Sequence, residues 1–171
     1  MGDDLGAGEK GGERRVMVAI DEGEHSHYAL MWVLDNMKES ISKSSVFIFM
    51  AQPPPNRVLT YAASLGSARM YYPVSASPEL LYSVQDNQKK ITLAFLEKAK
   101  EICASKGVNA EIITDVGDPK TAICSVVEKL NINMLVLGEG GVGKIKRAFI
   151  GSVSNYCVHY AKCPVLVVKK P

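Results

Sequence analysis

Five short apolar runs recur along the chain, at Val16 to Ile20, Val46 to Ala51, Val108 to Thr114, Met134 to Leu137 and Pro164 to Val168. All but the third, which alternates, are continuous in apolar character, and a strand of that kind must be covered on both faces. Stretches with helical spacing supply the covers. Tyr28, Met31, Trp32 and Leu34 mark a helix to about Lys38, and Ala122, Ile123, Val126, Val127 and Leu130 mark another. A long stripe runs through Leu80, Leu81, Val84, Ile91, Ala94, Phe95, Ala99 and Ile102 to about Ser105, and Val153, Cys157 and Tyr160 mark the last helix. Strand and helix alternating in this way predict an α/β fold. It is an open, doubly wound five-stranded parallel sheet with helices on both faces, since right-handed crossovers place them there. The expected strand order is 3-2-1-4-5.

Local signals agree with these boundaries. Ser77-Pro78-Glu79 and Asp118-Pro119 each place a capping side chain before a proline at the first helical position, and Gly107 follows the end of the long helix. Pro53, Pro54 and Pro55 end the second strand because proline lacks a donor. From there to Pro78 no clean period exists, and a connection of that length reads as a lid or binding loop.

Composition sets the remaining bounds. A chain of 171 residues, 47% hydrophobic and 22% charged, is expected to form one domain over residues 15–171. Residues 1–14 contain five glycines and almost no apolar side chains, so they are expected to be a disordered tail. A net charge of +2 offers no global attraction to nucleic acid or membrane. Cys103, Cys124, Cys157 and Cys163 form no CxxC pair and read as reduced thiols, while His25, His27 and His159 are too scattered for a metal centre. No apolar run approaches the length of a membrane span and no signal core precedes the first strand, so a cytoplasmic location is expected. Gly6 stands where a myristoylation motif needs Ser or Thr.

The chemistry concentrates after the fourth strand, in the spacing Gly138-x2-Gly141-x9-Gly151-Ser152. A strand, a glycine loop and a helix start in that order suit phosphate, because glycine permits close backbone approach and the first N–H groups of a helix are free. Two generic motifs fail. Gly138-x4-Gly143-Lys144 resembles a P-loop, but Ile145 replaces the hydroxyl that ligates Mg²⁺. Gly138-x-Gly140-x2-Gly143 fits the dinucleotide pattern without the acid about twenty residues on. In an open parallel sheet ligands bind beyond the strand ends where the order reverses. With the order 3-2-1-4-5, Asp21 and Gly138 meet there.

Val18-Ala-Ile-Asp21 with its following helix, the glycine spacing, and the ending Cys163-Pro-Val-Leu-Val-Val-Lys together resemble the universal stress protein family, especially its plant members. The resemblance covers residues 15 to 171 and implies a dimeric protein that binds ATP or AMP, with or without Mg²⁺, as a stress-response switch. It implies that Asp21 bonds ribose or the adenine edge and that Ala19, Ala51 and Leu137 line the adenine slot. Gly138, Gly140, Gly141, Gly151, Ser152, Val153 and Ser154 are implied around ribose and phosphates. Asp21, Ser152 and Ser154 are also residue types that cap helices. Two positions depart from the pattern, Gly23 in place of serine and Gly140, beside Glu139, in place of a basic residue. Losing a charge-assisted bond costs roughly 1.5 to 3 kcal/mol, which is expected either to weaken nucleotide binding or to shift it from ATP toward AMP without abolishing it. Lys144, Lys146 and Arg147 are the nearby cations.

The alternatives to a switch are a nucleotide-independent dimeric scaffold and a slow ATP hydrolase. Hydrolysis lacks a recognisable base or Mg²⁺-binding pair unless Asp21 or Asp118 serves. A homodimer through Cys163 to Lys169 is expected because an apolar strand at a sheet edge needs a partner.

Overall fold

Val16, Met17 and Val18 are all but inaccessible to solvent although they are consecutive, so the first strand is covered on both sides. The structure is a computed structural model that describes residues 12–55, 77–140 and 151–171. The elements in chain order are β1 (Arg15–Ala19), α1 (Glu24–Asn36), α2 (Lys38–Ile41), β2 (Ser45–Gln52) and α3 (Pro78–Ser105). They continue with β3 (Ala110–Val116), α4 (Pro119–Lys129), β4 (Met134–Gly138), α5 (Ser152–Tyr160) and β5 (Val165–Val168). The five strands form one parallel sheet in the order β3-β2-β1-β4-β5. This is the doubly wound arrangement expected from the alternation. Most of the tail, residues 56–76 of the long connection, and residues 141–150 with Gly141, Lys144, Lys146 and Arg147 lie outside the described residues.

The pleat sorts alternate residues of each strand into two cores. Val16, Val18, Ile48, Met50 and Val136 pack under Leu30, Val33 and Leu34 of α1 and Leu96 and Cys103 of α3. Met17, Ala19, Phe49, Leu135 and Leu137 pack under Ile123, Val126 and Val127 of α4 and Cys157 of α5. Both faces are thus closed by helices, which explains the nearly unbroken apolar runs in the central strands.

Caps fall where the sequence places them. Ser77 Oγ accepts from the N–H of Leu80 at 3.3 Å, and Asp118 Oδ1 accepts from that of Lys120 at 3.2 Å. Gly107 takes φ +78°, a conformation that other residues resist, immediately after α3.

The long helix differs from expectation in phase. Its buried positions are Thr92, Leu96, Ala99 and Cys103, whereas Leu80 and Phe95, assigned to the core stripe, are 42% and 38% exposed. The spacing 92, 96, 99, 103 is one clean helical row, and the buried hydroxyl of Thr92 disguises it. Leu81, Val84 and Ile91 lie no deeper than half-buried, so the first half of α3 makes little core.

Candidate functional site

β1 and β4 run side by side, with Val16 opposite Met134 and Val18 opposite Val136. Beyond their carboxyl ends the chain turns to opposite faces, to α1 from β1 and to α5 after β4. The ends of these two strands therefore form the switch point of the sheet. Asp21 lies there, two residues past β1. Its Oδ1 accepts from the N–H of Gly23 at 2.7 Å and from the hydroxyl of Ser26 at 2.9 Å. Ser26, nearly buried, also accepts from the Asp21 N–H at 3.0 Å. Asp21 is not the helix cap, a position held by Gly23 without any side-chain bond. Its carboxylate is instead fixed by one oxygen, and the other faces Gly140, where a Cβ would stand 4.0 Å from Oδ2.

Ser26 has the same importance to this geometry as Asp21, and sequence reasoning missed it. The available signal was a serine five residues after the strand acid, in the first turn of the helix. One hydroxyl there can serve both the main chain and the side chain of the preceding loop.

Gly138 owes its identity to packing. It does not adopt the left-handed conformation, yet a Cβ on it would fall 2.5 Å from the carbonyl oxygen of His25 and 2.9 Å from the nitrogen of Ser26. The first turn of α1 therefore rests directly on the main chain at the end of β4. On the other side, Ser154 Oγ donates to the Gly138 carbonyl at 2.9 Å, tying in the first turn of α5. Ser154 is buried and its hydroxyl is engaged. What it can offer a ligand is its main-chain N–H.

α5 follows buried Gly151 at its N-cap, and among the described residues no side chain caps it. The helical ladder starts with Asn155 N–H donating to Gly151 O at 2.9 Å, so the N–H groups of Ser152, Val153 and Ser154 precede it. Ser152 is exposed. Gly140 N–H turns back to Gly138 O at 2.8 Å. Ala19 and Leu137 belong to the α4/α5 core, with half-buried Ala51 and Val153 packed against it, so all four share one face at the strand ends. Of the site residues implied by the resemblance, Gly141 falls outside the described residues, as do the nearby cations Lys144, Lys146 and Arg147.

A separate groove of about 460 Å³ opens at the carboxyl ends of neighbouring strands, lined by Gln52, Tyr82, Gln85, Asp86, Thr114 and Val116 among others. It belongs to β2, β3 and α3, and none of the switch-point residues lines it.

A model of the universal stress protein family matches residues 13–169. Universal stress protein YxiE of Bacillus subtilis is 30% identical over 155 residues, covering 91% of this chain and 98% of that protein. A universal stress protein A-like protein of Arabidopsis thaliana is 36% identical over 97 residues, a match that takes in 57% of this chain and 55% of the relative. The chain thus spans about half the length of that relative. The crystal structure of a universal stress protein family protein from Arabidopsis thaliana with AMP bound is 25% identical, with 92% of each chain covered and a TM-score of 0.64.

The contact at Gly138 gives a direct expectation. Gly138→Ala forces a methyl group against main-chain atoms of α1, an overpacking that costs about 1 to 3 kcal/mol, whereas Gly140→Ala meets, among the described residues, only Asp21 Oδ2 at an ordinary contact distance of 4.0 Å and changes stability by less than about 0.5 kcal/mol. Urea denaturation of the two variants checks this, and equal midpoints would contradict the close approach.

Proposed function

The chain belongs to the universal stress protein family, and from that footing we propose that it binds an adenine nucleotide at the β1–β4 switch point and acts as a nucleotide-dependent regulatory protein. The observation that carries this reading is the pairing of two unfilled features. Asp21 is locked through Oδ1 with Oδ2 left toward Gly140, and among the described residues no side chain caps the first turn of α5, which Ser154 ties to Gly138. A ribose or adenine donor suits the first, and a phosphate suits the second. A related protein of known structure carries AMP.

In this reading Ala19, Ala51, Leu137 and Val153 give the base an apolar wall. The main chain at Gly138, Gly140, Gly141, Gly151, Ser152 and Ser154 serves ribose and phosphates, with the exposed Ser152 hydroxyl beside them. Glu139 and the absence of a side chain at Gly140 favour fewer negative charges on the ligand, hence AMP over ATP, with or without Mg²⁺. Binding that orders the site shifts the balance between two partner-binding states by its differential affinity for them. Residues 15–171 act as one domain in this scheme, preceded by the tail, and the protein works in the cytoplasm. Among the described residues no helix is long and apolar enough to cross a membrane.

Calorimetry tests the site. AMP is expected to bind more tightly than GMP, because the wrong base leaves its polar edge unpaired against an apolar wall. Gly151→Val is expected to weaken AMP at least about tenfold, equivalent to 1.4 kcal/mol, by blocking approach to the N–H groups of α5. Gly151 has an ordinary φ of −52°, so valine imposes no backbone strain, but it is buried, and the affinity is therefore read on protein whose circular dichroism is native. Equal affinities for AMP and GMP, or an unaffected Gly151→Val, would refute the assignment.

Self-association is the second part of the proposal. β5 is a four-residue edge strand in which Val165, Leu166 and Val167 are only half-buried. The segment Cys163 to Lys169 in a two-fold homodimer would cover that edge. Light scattering should give twice the chain mass, and the mass of one chain at every concentration would exclude the dimer.

A further inference from the structure

Three of the four thiols gather in the α4/α5 core. Cys124 on α4 and Cys157 on α5 place their sulfurs 4.0 Å apart, with the Cys124 thiol directed at its neighbour. Cys163, just after α5, packs against the same core. It is within electrostatic reach of both, since negative charge on it would push up Cys157 and charge on Cys124 would push it up in turn. Cys103 lies in the other core, across the sheet. The cluster plays no part in the nucleotide site, and helix packing alone needs no sulfur in two facing positions.

We propose that Cys124 and Cys157 form an oxidisable pair that closes to an intramolecular disulfide joining α4 to α5. A disulfide holds its sulfurs about 2.05 Å apart, so closure draws the two together by about 2 Å from contact. Cys124 is half-buried and receives the oxidant, whereas Cys157 is wholly buried and acts as its partner. The oxidant is a small peroxide. Its O–O bond breaks as one oxygen bonds to the Cys124 sulfur, giving a sulfenic acid, and the other leaves as water when the peroxide is hydrogen peroxide. The Cys157 sulfur then displaces hydroxide from Cys124, and its own proton completes a second water. Two thiols are oxidised by one electron each and one peroxide is reduced.

The surroundings set the speed. Burial pushes the Cys157 thiol up to about 12, and burial also raises Cys124 and Cys163 above the ordinary cysteine value. The thiolate is the reactive form, so at neutral pH this pair reacts more slowly than an exposed cysteine. It responds to sustained oxidant, not to a brief pulse.

The bond has a route to the nucleotide site. Cys157 lies one turn beyond Ser154, whose hydroxyl is bonded to Gly138 O. Drawing Cys157 toward Cys124 displaces the first turn of α5, where the phosphate is placed. This consequence for affinity rests on the nucleotide reading; the disulfide itself does not.

The test uses the full chain, reduced, then held in excess hydrogen peroxide, blocked with an alkylating agent and mapped by mass spectrometry without reduction. The expected product is a peptide containing Cys124 linked to one containing Cys157 within one chain, with Cys103 still a thiol. Cys124→Ser abolishes the link and Cys163→Ser preserves it. Cys124 is half-buried, so its serine variant should fold, which circular dichroism verifies. A Cys124–Cys163 link, a disulfide between chains, or four thiols surviving prolonged oxidation would each overturn the proposal. Separately, the oxidised chain should bind AMP several-fold more weakly than the reduced one. Linked protein with unchanged AMP affinity would overturn only the coupling to the site, and absence of AMP binding in both forms would count against the nucleotide reading alone.

Discussion

The contact between the first turn of α1 and the last residue of β4 organises the whole functional end of the molecule. Because Gly138 has no side chain, the main chain at His25 and Ser26 settles directly on the strand end, closer than any Cβ permits. That approach brings the loop carrying Asp21 alongside Gly140, and Ser154 ties α5 to the same carbonyl from the opposite face. Three elements from different parts of the chain meet at one glycine. A larger residue there would separate them and dismantle the site before any ligand was involved.

The site itself is built mostly of main chain, and this determines what it can do. The Asp21 carboxylate is held rigidly by Gly23 and Ser26, so it presents a single acceptor in a fixed direction at little conformational cost. Free N–H groups at a helix start contribute an anion preference of about 0.3 to 2 kcal/mol, too little for tight binding without shape and base contacts. Specificity must therefore come from the apolar wall and the carboxylate together.

The architecture was legible because both-face burial leaves a plain trace. Val16 to Ile20 and Met134 to Leu137 have no polar interruptions, as expected of strands in the interior of a parallel sheet. The meeting of Asp21 with the glycines followed from strand order. Four things did not follow. Ser26 looks like an ordinary helical serine until its hydroxyl is seen bonded to the loop before it. Gly138 was assigned to ligand approach, whereas its space is filled by α1, a tertiary contact between residues more than a hundred positions apart. The pairing of Cys124 with Cys157 depends on how α4 and α5 lie against each other, which no local pattern records. The phase of α3 was misread because Thr92 faces the core while Phe95 does not.

Amide chemical-shift mapping during titration with AMP examines the placement of the ligand most directly, since it reports on N–H groups along the whole main chain at once. With nucleotide at the switch point, the largest shifts fall on Gly23, Gly140, Gly151, Ser152 and Val153, and the groove lined by Gln52, Tyr82 and Thr114 stays unchanged. Shifts concentrated in that groove, or no saturable shifts at millimolar AMP, would contradict it.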